Sequence, residues 1–364
     1  MKYMKWLFVL MSIMLLLSLA FVACNKPAPS TPPTTSPDSK PAAPPTTQPQ
    51  ETIILKYGVG EPPTHFWSEA ASAMMNKIED ETNGRVKFET YFAATLINPR
   101  ECFTEIAQGV ADISALPIGL APGGKLEVER ALMGAFYGSA DLEKIRSISE
   151  SLRSEYPELE SDWDEYGKII AWSSLLPFQL QSTKPINKID DLGGMTIRAW
   201  PDVTPVFDKL GAESLTMPSP DVYSALQKGT LDGATSAWEQ LKTYKWAEVT
   251  DYHIRLDMST GGYAYTTVMN WDTWNSLPPD IQQVFEDNME PWIAENSSRM
   301  LQADEDGLAF AAELGSTVVD LPAEEVNKFY GLLNDNYLQI MSDLDAKGYN
   351  ATAIYKELRQ LIEE

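Results

Sequence analysis

PDIQQVFEDNMEPWIAENSSRMLQADEDGLAFAAEL, residues 279–314, reads as helix from end to end, 36 residues or ~54 Å at 1.5 Å per residue. Pro291 lies part-way along, where it predicts a kink because proline has no N–H and its ring crowds the preceding turn. Just upstream, GYAYTTVMN (262–270) is rich in tyrosine and threonine, as expected of a strand crossing between two sheets. Together these predict a clam-shell, with a cleft between two lobes and a long kinked helix spanning both. Periodicity alone leaves one alternative open, a long helix capping a single domain.

Working outward, short apolar stretches alternate with helical ones, the mark of an α/β chain with mostly parallel strands. Strands are expected at 53–57, 86–92, 111–115, 168–172, 179–182 and 196–198. Helices are expected at 66–82, with Trp67, Ala70, Met74 and Ile78 on one face, and around 142–153, 203–210 and 221–227. Asn98 and Pro99 read as the N-cap and first turn of a further helix carrying Cys102 and Ile106, stopped by Gly109. The body after Glu51, about 314 residues, exceeds what a single core usually holds, so two domains are expected.

The first fifty residues set the context. Lys2 and Lys5 precede an apolar run from Trp6 to Leu17 that is too short for a membrane span and reads as a signal peptide. Phe21-Val22-Ala23-Cys24 resembles a bacterial lipoprotein cleavage box, so residues 1–24 are expected to be a lipoprotein signal peptide with Cys24 as the lipidated residue. Plain secretory cleavage near Ala23 is the alternative. Residues 25–50 hold nine prolines and no aromatic or branched aliphatic side chain, so they read as a disordered tether. In polyproline geometry their 26 residues reach up to ~80 Å. The body is therefore expected outside the cytoplasm, lipid-anchored to the outer face of the cell membrane or periplasmic.

A net charge of −24 argues against nucleic acid or an anionic lipid surface as partner, leaving the lipid anchor as the expected membrane contact. Only two cysteines are present, which excludes a disulfide framework if Cys24 is acylated. With two histidines, His65 and His253, and no HExxH, GxSxG or phosphate loop, the chain offers little catalytic chemistry. Gly58-Val59-Gly60 lacks the third glycine and helix start of a dinucleotide site and reads as a loop opening after the first strand. No cofactor or metal is expected.

Lys184-Pro185-Ile186, the run Asp190-Asp191-Leu192-Gly193-Gly194-Met195-Thr196-Ile197-Arg198, then Leu210-Gly211-Ala212, Met217-Pro218, Val222 to Gly229 and Leu231-Asp232-Gly233 follow one another in a fixed order. That order resembles the DctP-type substrate-binding proteins of tripartite ATP-independent periplasmic (TRAP) transporters. Thr82 to Val86, Gly109 to Ile113 and Leu277 to Ile281 extend the resemblance over nearly the whole body. It implies a two-lobed, periplasmic-binding-protein-like fold with two mixed sheets flanked by helices. Lobe I would take 51–175 plus about 264–303, and lobe II 176–263 plus about 304–364. It also implies a monomeric, non-enzymatic protein that captures a small organic anion and delivers it to TRAP-type membrane permease subunits. A surface-anchored hydrolase, and a binding subunit of an ABC importer or sensor, are the readings from other classes.

The resemblance assigns Arg198 the carboxylate grip, and a planar guanidinium fork suits that role. Two departures bear on the ligand. The strand before Lys184 reads Leu175 to Leu180 with no second arginine, and the family's asparagine after the Asp-Gly corner falls at Ser236. Gln179, Ser236, Ser219 and His65 are therefore candidate neutral hydrogen-bonding groups, and Phe178, Trp200 and Trp238 candidate apolar walls. The expected ligand is a monocarboxylate with an apolar or aromatic body.

Overall fold

The structure, a computed structural model, describes residues 51–124, 126–258 and 261–364. The expected leader, Cys24 and the tether lie outside the described residues. Strands β1 (Ile53–Gly58), β2 (Val86–Tyr91), β3 (Ile113–Pro117), β4 (Lys168–Ser173) and β10 (Tyr265–Met269) form one mixed sheet in the order β2-β1-β3-β10-β4. A second has the order β11-β9-β5-β8-β6-β7, from β5 (Phe178–Ser182), β6 (Thr196–Arg198), β7 (Glu213–Leu215), β8 (Gly233–Ser236), β9 (Tyr252–Met258) and β11 (Thr317–Asp320).

Each sheet has one reversed strand. In the first, β10 runs antiparallel to β3 and β4, and in the second β5 runs antiparallel to β8 and β9. These are the two strands that the chain enters directly from the other sheet, β4 leading to β5 and β9 to β10. A strand entered from the shared edge must run away from it, whereas the remaining strands finish there. The carboxyl ends of the parallel strands therefore converge on one cleft, the place where open α/β sheets bind ligands. The crossings are tied together, since the Ser174 hydroxyl donates to the Gly262 carbonyl at 2.8 Å.

Helix α1 (Phe66–Glu81) buries Trp67, Ala70, Met74 and Ile78, the expected face. The helix expected from Asn98 and Pro99 begins later, at Cys102–Ala107. Asn98 instead closes the preceding turn, its side-chain oxygen accepting from the Arg100 N–H at 3.0 Å. Gly58 and Gly60 are glycine for want of space: a Cβ would stand 2.6 Å from Ile97 Cγ1 and 2.7 Å from Pro99 Cγ respectively.

Past α2 (Ser219–Gln227), the stretch 279–314 forms two helices, α3 (Pro279–Asp287) and α4 (Met289–Glu313), broken at Asn288. The break precedes Pro291 because a proline is tolerated only in the first turn, where no helical N–H is required. α4 packs on α1 and β4 of the first lobe and on the short helix Gln240–Thr243 of the second, so it does span both. The last helices, α5 (Ala323–Asp345) and α6 (Ala351–Glu363), pack on earlier ones, α5 on Glu127–Met133 and Thr204–Lys209 and α6 on Leu142–Glu155. The expected boundary near residue 304 falls inside α4.

Gly307 is where α4 meets the second lobe: a Cβ there would lie 2.0 Å from the Trp238 carbonyl oxygen. Gly307→Ala should cost ~1 to 3 kcal/mol of stability through overpacking against backbone, read as a lowered Tm. Gly331→Ala in α5, where a Cβ meets nothing within 4 Å, should be neutral or stabilising. Equal melting of the two variants would refute the close-packed junction.

Candidate functional site

β6 is three residues long, and its alternation sends Ile197 into the core and leaves Arg198 at the carboxyl end. Asp232 fixes the strand's start: its carboxylate accepts from the Thr196 N–H at 3.0 Å and pairs with Lys184 Nζ at 2.7 Å. Gly233 follows because a Cβ would come within 2.8 Å of the Gln181 carbonyl oxygen on β5. Much of the Leu-Asp-Gly stretch is thus scaffold, holding β6 beside β8 so that Arg198 pairs with Ala234.

The Arg198 side chain is 2 % exposed. Nε donates to the Met217 carbonyl at 3.1 Å, Nη1 to the Thr235 carbonyl at 2.8 Å and Nη2 to Ser219 Oγ at 3.5 Å. Three of its five N–H groups are engaged, leaving one on each terminal nitrogen. Among the described residues no Asp or Glu stands within ion-pair distance of it. Burial lowers its pKa to about 10, so it stays cationic at neutral pH, a buried charge without a counter-charge.

The guanidinium lines a cavity of about 570 Å³ at the cleft, 5.0 Å from the Trp200 ring. Phe178 stacks on Trp200 with centroids 6.3 Å apart, and both line the cavity together with Ser219 and His65. His65 is also the N-cap of α1, its Nδ1 accepting from the Trp67 N–H at 3.4 Å. Burial lowers its pKa to about 3, which keeps it neutral and able to accept.

Three expected residues are not in the lining. Gln179 spends its side chain bridging the β5–β9 irregularity, accepting from Leu256 N–H (2.7 Å) and Asp257 N–H (3.0 Å) and donating to Asp257 Oδ1 (2.7 Å). Ser236 Oγ is held by Gln181 Oε1 at 3.1 Å and the Ala237 carbonyl at 2.9 Å. Trp238 is a core residue of the second lobe, packed with Val222, Leu226, Leu241 and Trp246. Strand alternation turns Gln179 away from the cavity that its neighbour Phe178 lines, whereas Trp238 lies in the turn after β8 and is drawn into the core beside it.

Glu61, Tyr265 and Glu239 also line the cavity, and none of them was expected there. Tyr265 opens β10 and donates its hydroxyl to Glu61 Oε1 at 3.1 Å, and burial raises the pKa of both groups. Glu239 is 4 % exposed, and burial together with the neighbouring Asp304 pushes its pKa up to about 8. Asp304 on α4 accepts from the Glu239 N–H at 2.9 Å and is itself raised to about 7 by burial. With 52 acids in the chain, no pattern marks these few in advance. Among the described residues no group of acids, histidines and cysteines could hold a metal ion, and no helix is long and apolar enough to cross a membrane.

Two mixed sheets whose strand ends meet around a charged, aromatic-lined cleft define a two-lobed solute-binding protein. The chain belongs to the DctP family, the bacterial extracellular solute-binding proteins of family 7, whose sequence model matches residues 57–343. It is similar to the C4-dicarboxylate-binding periplasmic protein DctP of Vibrio cholerae, 21% identical over 82% of this chain and 89% of that one. Among solved structures, a TRAP solute-binding protein from Rhodoferax ferrireducens with copurified benzoate superposes with a TM-score of 0.74, 24% identical over 86% of this chain and 98% of the other. A marine metagenome TRAP protein with 3-hydroxybenzoate gives 0.74 at 23% identity over 86% and 98%. The family is one of transport components rather than enzymes.

The raised carboxyl of Glu239 has a stability consequence. Unfolded, it titrates in the ordinary carboxylate range; folded, near 8, so the folded state holds the extra proton between those values and stability falls as pH rises through that window. Glu239→Gln should remove up to ~1.4 kcal/mol per pH unit of that slope, measured by urea unfolding between pH 5 and 8, while the Asp304 contribution of the same sign remains. An unchanged slope would mean that Glu239 is not buried as described.

Proposed function

We propose that the chain captures a small monocarboxylate with an apolar or aromatic body in the cleft and delivers it to a TRAP permease. The observation that carries this reading is Arg198, a buried cation with two free N–H groups and, among the described residues, no acid within ion-pair distance. An uncompensated buried charge is costly, and a carboxylate bound bidentately supplies the missing partner. The N-terminal turn of α2 borders the same cavity through Pro218, Ser219 and Pro220, so the helix dipole adds to the attraction for an anion.

The body of the ligand is read from the walls. Phe178, Trp200, Trp67, Tyr265 and Met300 surround the cavity, and Phe178 begins a strand that holds no second arginine. Arg100 reaches the cavity's margin from the first lobe but is solvent-exposed, so it is a poor candidate for a second buried grip. Benzoate and 3-hydroxybenzoate in the two structural neighbours are of this ligand type, whereas the Vibrio cholerae relative takes C4-dicarboxylates. Binding closes the lobes about the two tied crossings, burying the charged pair from water. Lipidation at Cys24 and the tether 25–50 would keep the loaded protein near its permease at a raised effective concentration.

A thermal-shift screen of organic acids should identify the ligand, since binding to the folded state raises Tm. Calorimetry with that acid should then show Arg198→Ala losing ~2 to 5 kcal/mol of binding free energy; an affinity within about twofold of wild type rules out the carboxylate grip. For the anchor, Cys24→Ala should move the protein from the membrane fraction to the soluble one, and an unaltered distribution excludes a lipid at that residue.

A further inference from the structure

Several polar atoms beside the cavity have no partner. Oε2 of Glu239 and Oε1 of Gln240 are buried acceptors without a donor, and Nε1 of Trp200 and of Trp67 are buried donors without an acceptor. All four residues line the cavity, Trp67 from the first lobe and the other three from the second. Buried polar groups are rarely left unpaired, and four of them on residues that line one cavity indicate the groups that a ligand there should match.

Arg198 and Glu239 emerge from neighbouring strands of the same sheet, β6 and β8, whose partners Arg198 and Ala234 face each other directly. Glu239 follows Ala234 by five residues, past the end of β8, with its backbone pinned to α4 by Asp304. Arg198, Glu239 and Gln240 line the same cavity, so one ligand seated on the guanidinium can meet all three. We propose that Glu239, with Gln240 beside it, reads a hydroxyl on the body of the ligand, so that the cavity selects hydroxy-substituted aromatic acids over unsubstituted ones. The hydroxyl donates to the Glu239 carboxyl and can accept from an indole N–H, satisfying groups of both kinds. Because burial holds Glu239 largely protonated at neutral pH, it does this without repelling the ligand's carboxylate. An amine would be bound differently, drawing the Glu239 proton off and forming an ion pair.

This rests on the carboxylate grip by Arg198, and the test separates the two. Calorimetry of the full chain with 3-hydroxybenzoate and with benzoate should show wild type preferring the former by ~10-fold, the discrimination expected when a site left with unpaired polar groups meets an analogue lacking the hydroxyl. Glu239→Leu should abolish that preference by weakening 3-hydroxybenzoate about tenfold while benzoate stays within about twofold. Glu239→Gln, which keeps a side-chain carbonyl, should retain most of it. Arg198→Ala should weaken both acids alike; if it weakens neither, the carboxylate grip has failed and not only the hydroxyl contact. Equal affinity of wild type for the two acids, binding of neither, or a parallel loss of both in Glu239→Leu overturns the proposal, and the wild-type comparison decides it even if the leucine variant does not fold.

Discussion

The buried charge of Arg198 is the constraint around which the cleft is arranged. A guanidinium 2 % exposed and, among the described residues, without an acid needs oxygen acceptors to hold it, and these come from three separate pieces of chain: the carbonyls of Met217 beyond β7 and Thr235 in β8, and the Ser219 hydroxyl at the start of α2. Each contact fixes one loop at the carboxyl edge of the second sheet. Placing the cation thus also places the cavity's floor, and in the proposed function an anion completes its hydrogen bonding.

Topology then supplies the opposing wall. Because β5 and β10 are entered from the neighbouring sheet, both begin at the shared edge and bring Phe178 and Tyr265 to the cavity. The same crossings are linked by the hydrogen bond from Ser174 to Gly262. α4 is the third link, and its tight seat on the Trp238 carbonyl through Gly307 puts Asp304 under Glu239. Support for the long helix and the electrostatics of the cavity are therefore one structure: the acid that caps the backbone at Glu239 also helps to hold the Glu239 side chain protonated.

Much of the fold was legible from residue order. Alternation located β1, β2, β4, β5 and β6 to within a few residues, and the long helical stretch with its proline located α3 and α4. Two boundaries shifted for local reasons: the kink fell at Asn288 because Pro291 fits only a first turn, and the helix after Pro99 was delayed because Asn98 closes a turn of its own.

What the sequence determined by itself was what short-range physics controls: the periods of strands and helices, the order of words that resembles the family, and Arg198 at the end of a strand. The lining of the cavity was decided by tertiary structure alone. Gln179, Ser236 and Trp238 are of the right chemical type but are turned toward β9, β5 and the second lobe's core, while Glu61, Tyr265 and Glu239, up to 204 residues apart, are brought to one space by the two crossings. The side of a strand on which a residue falls, and the burial that raises a carboxyl's pKa, depend on which segments pack against it, and that is a property of the assembled sheets rather than of any stretch of chain.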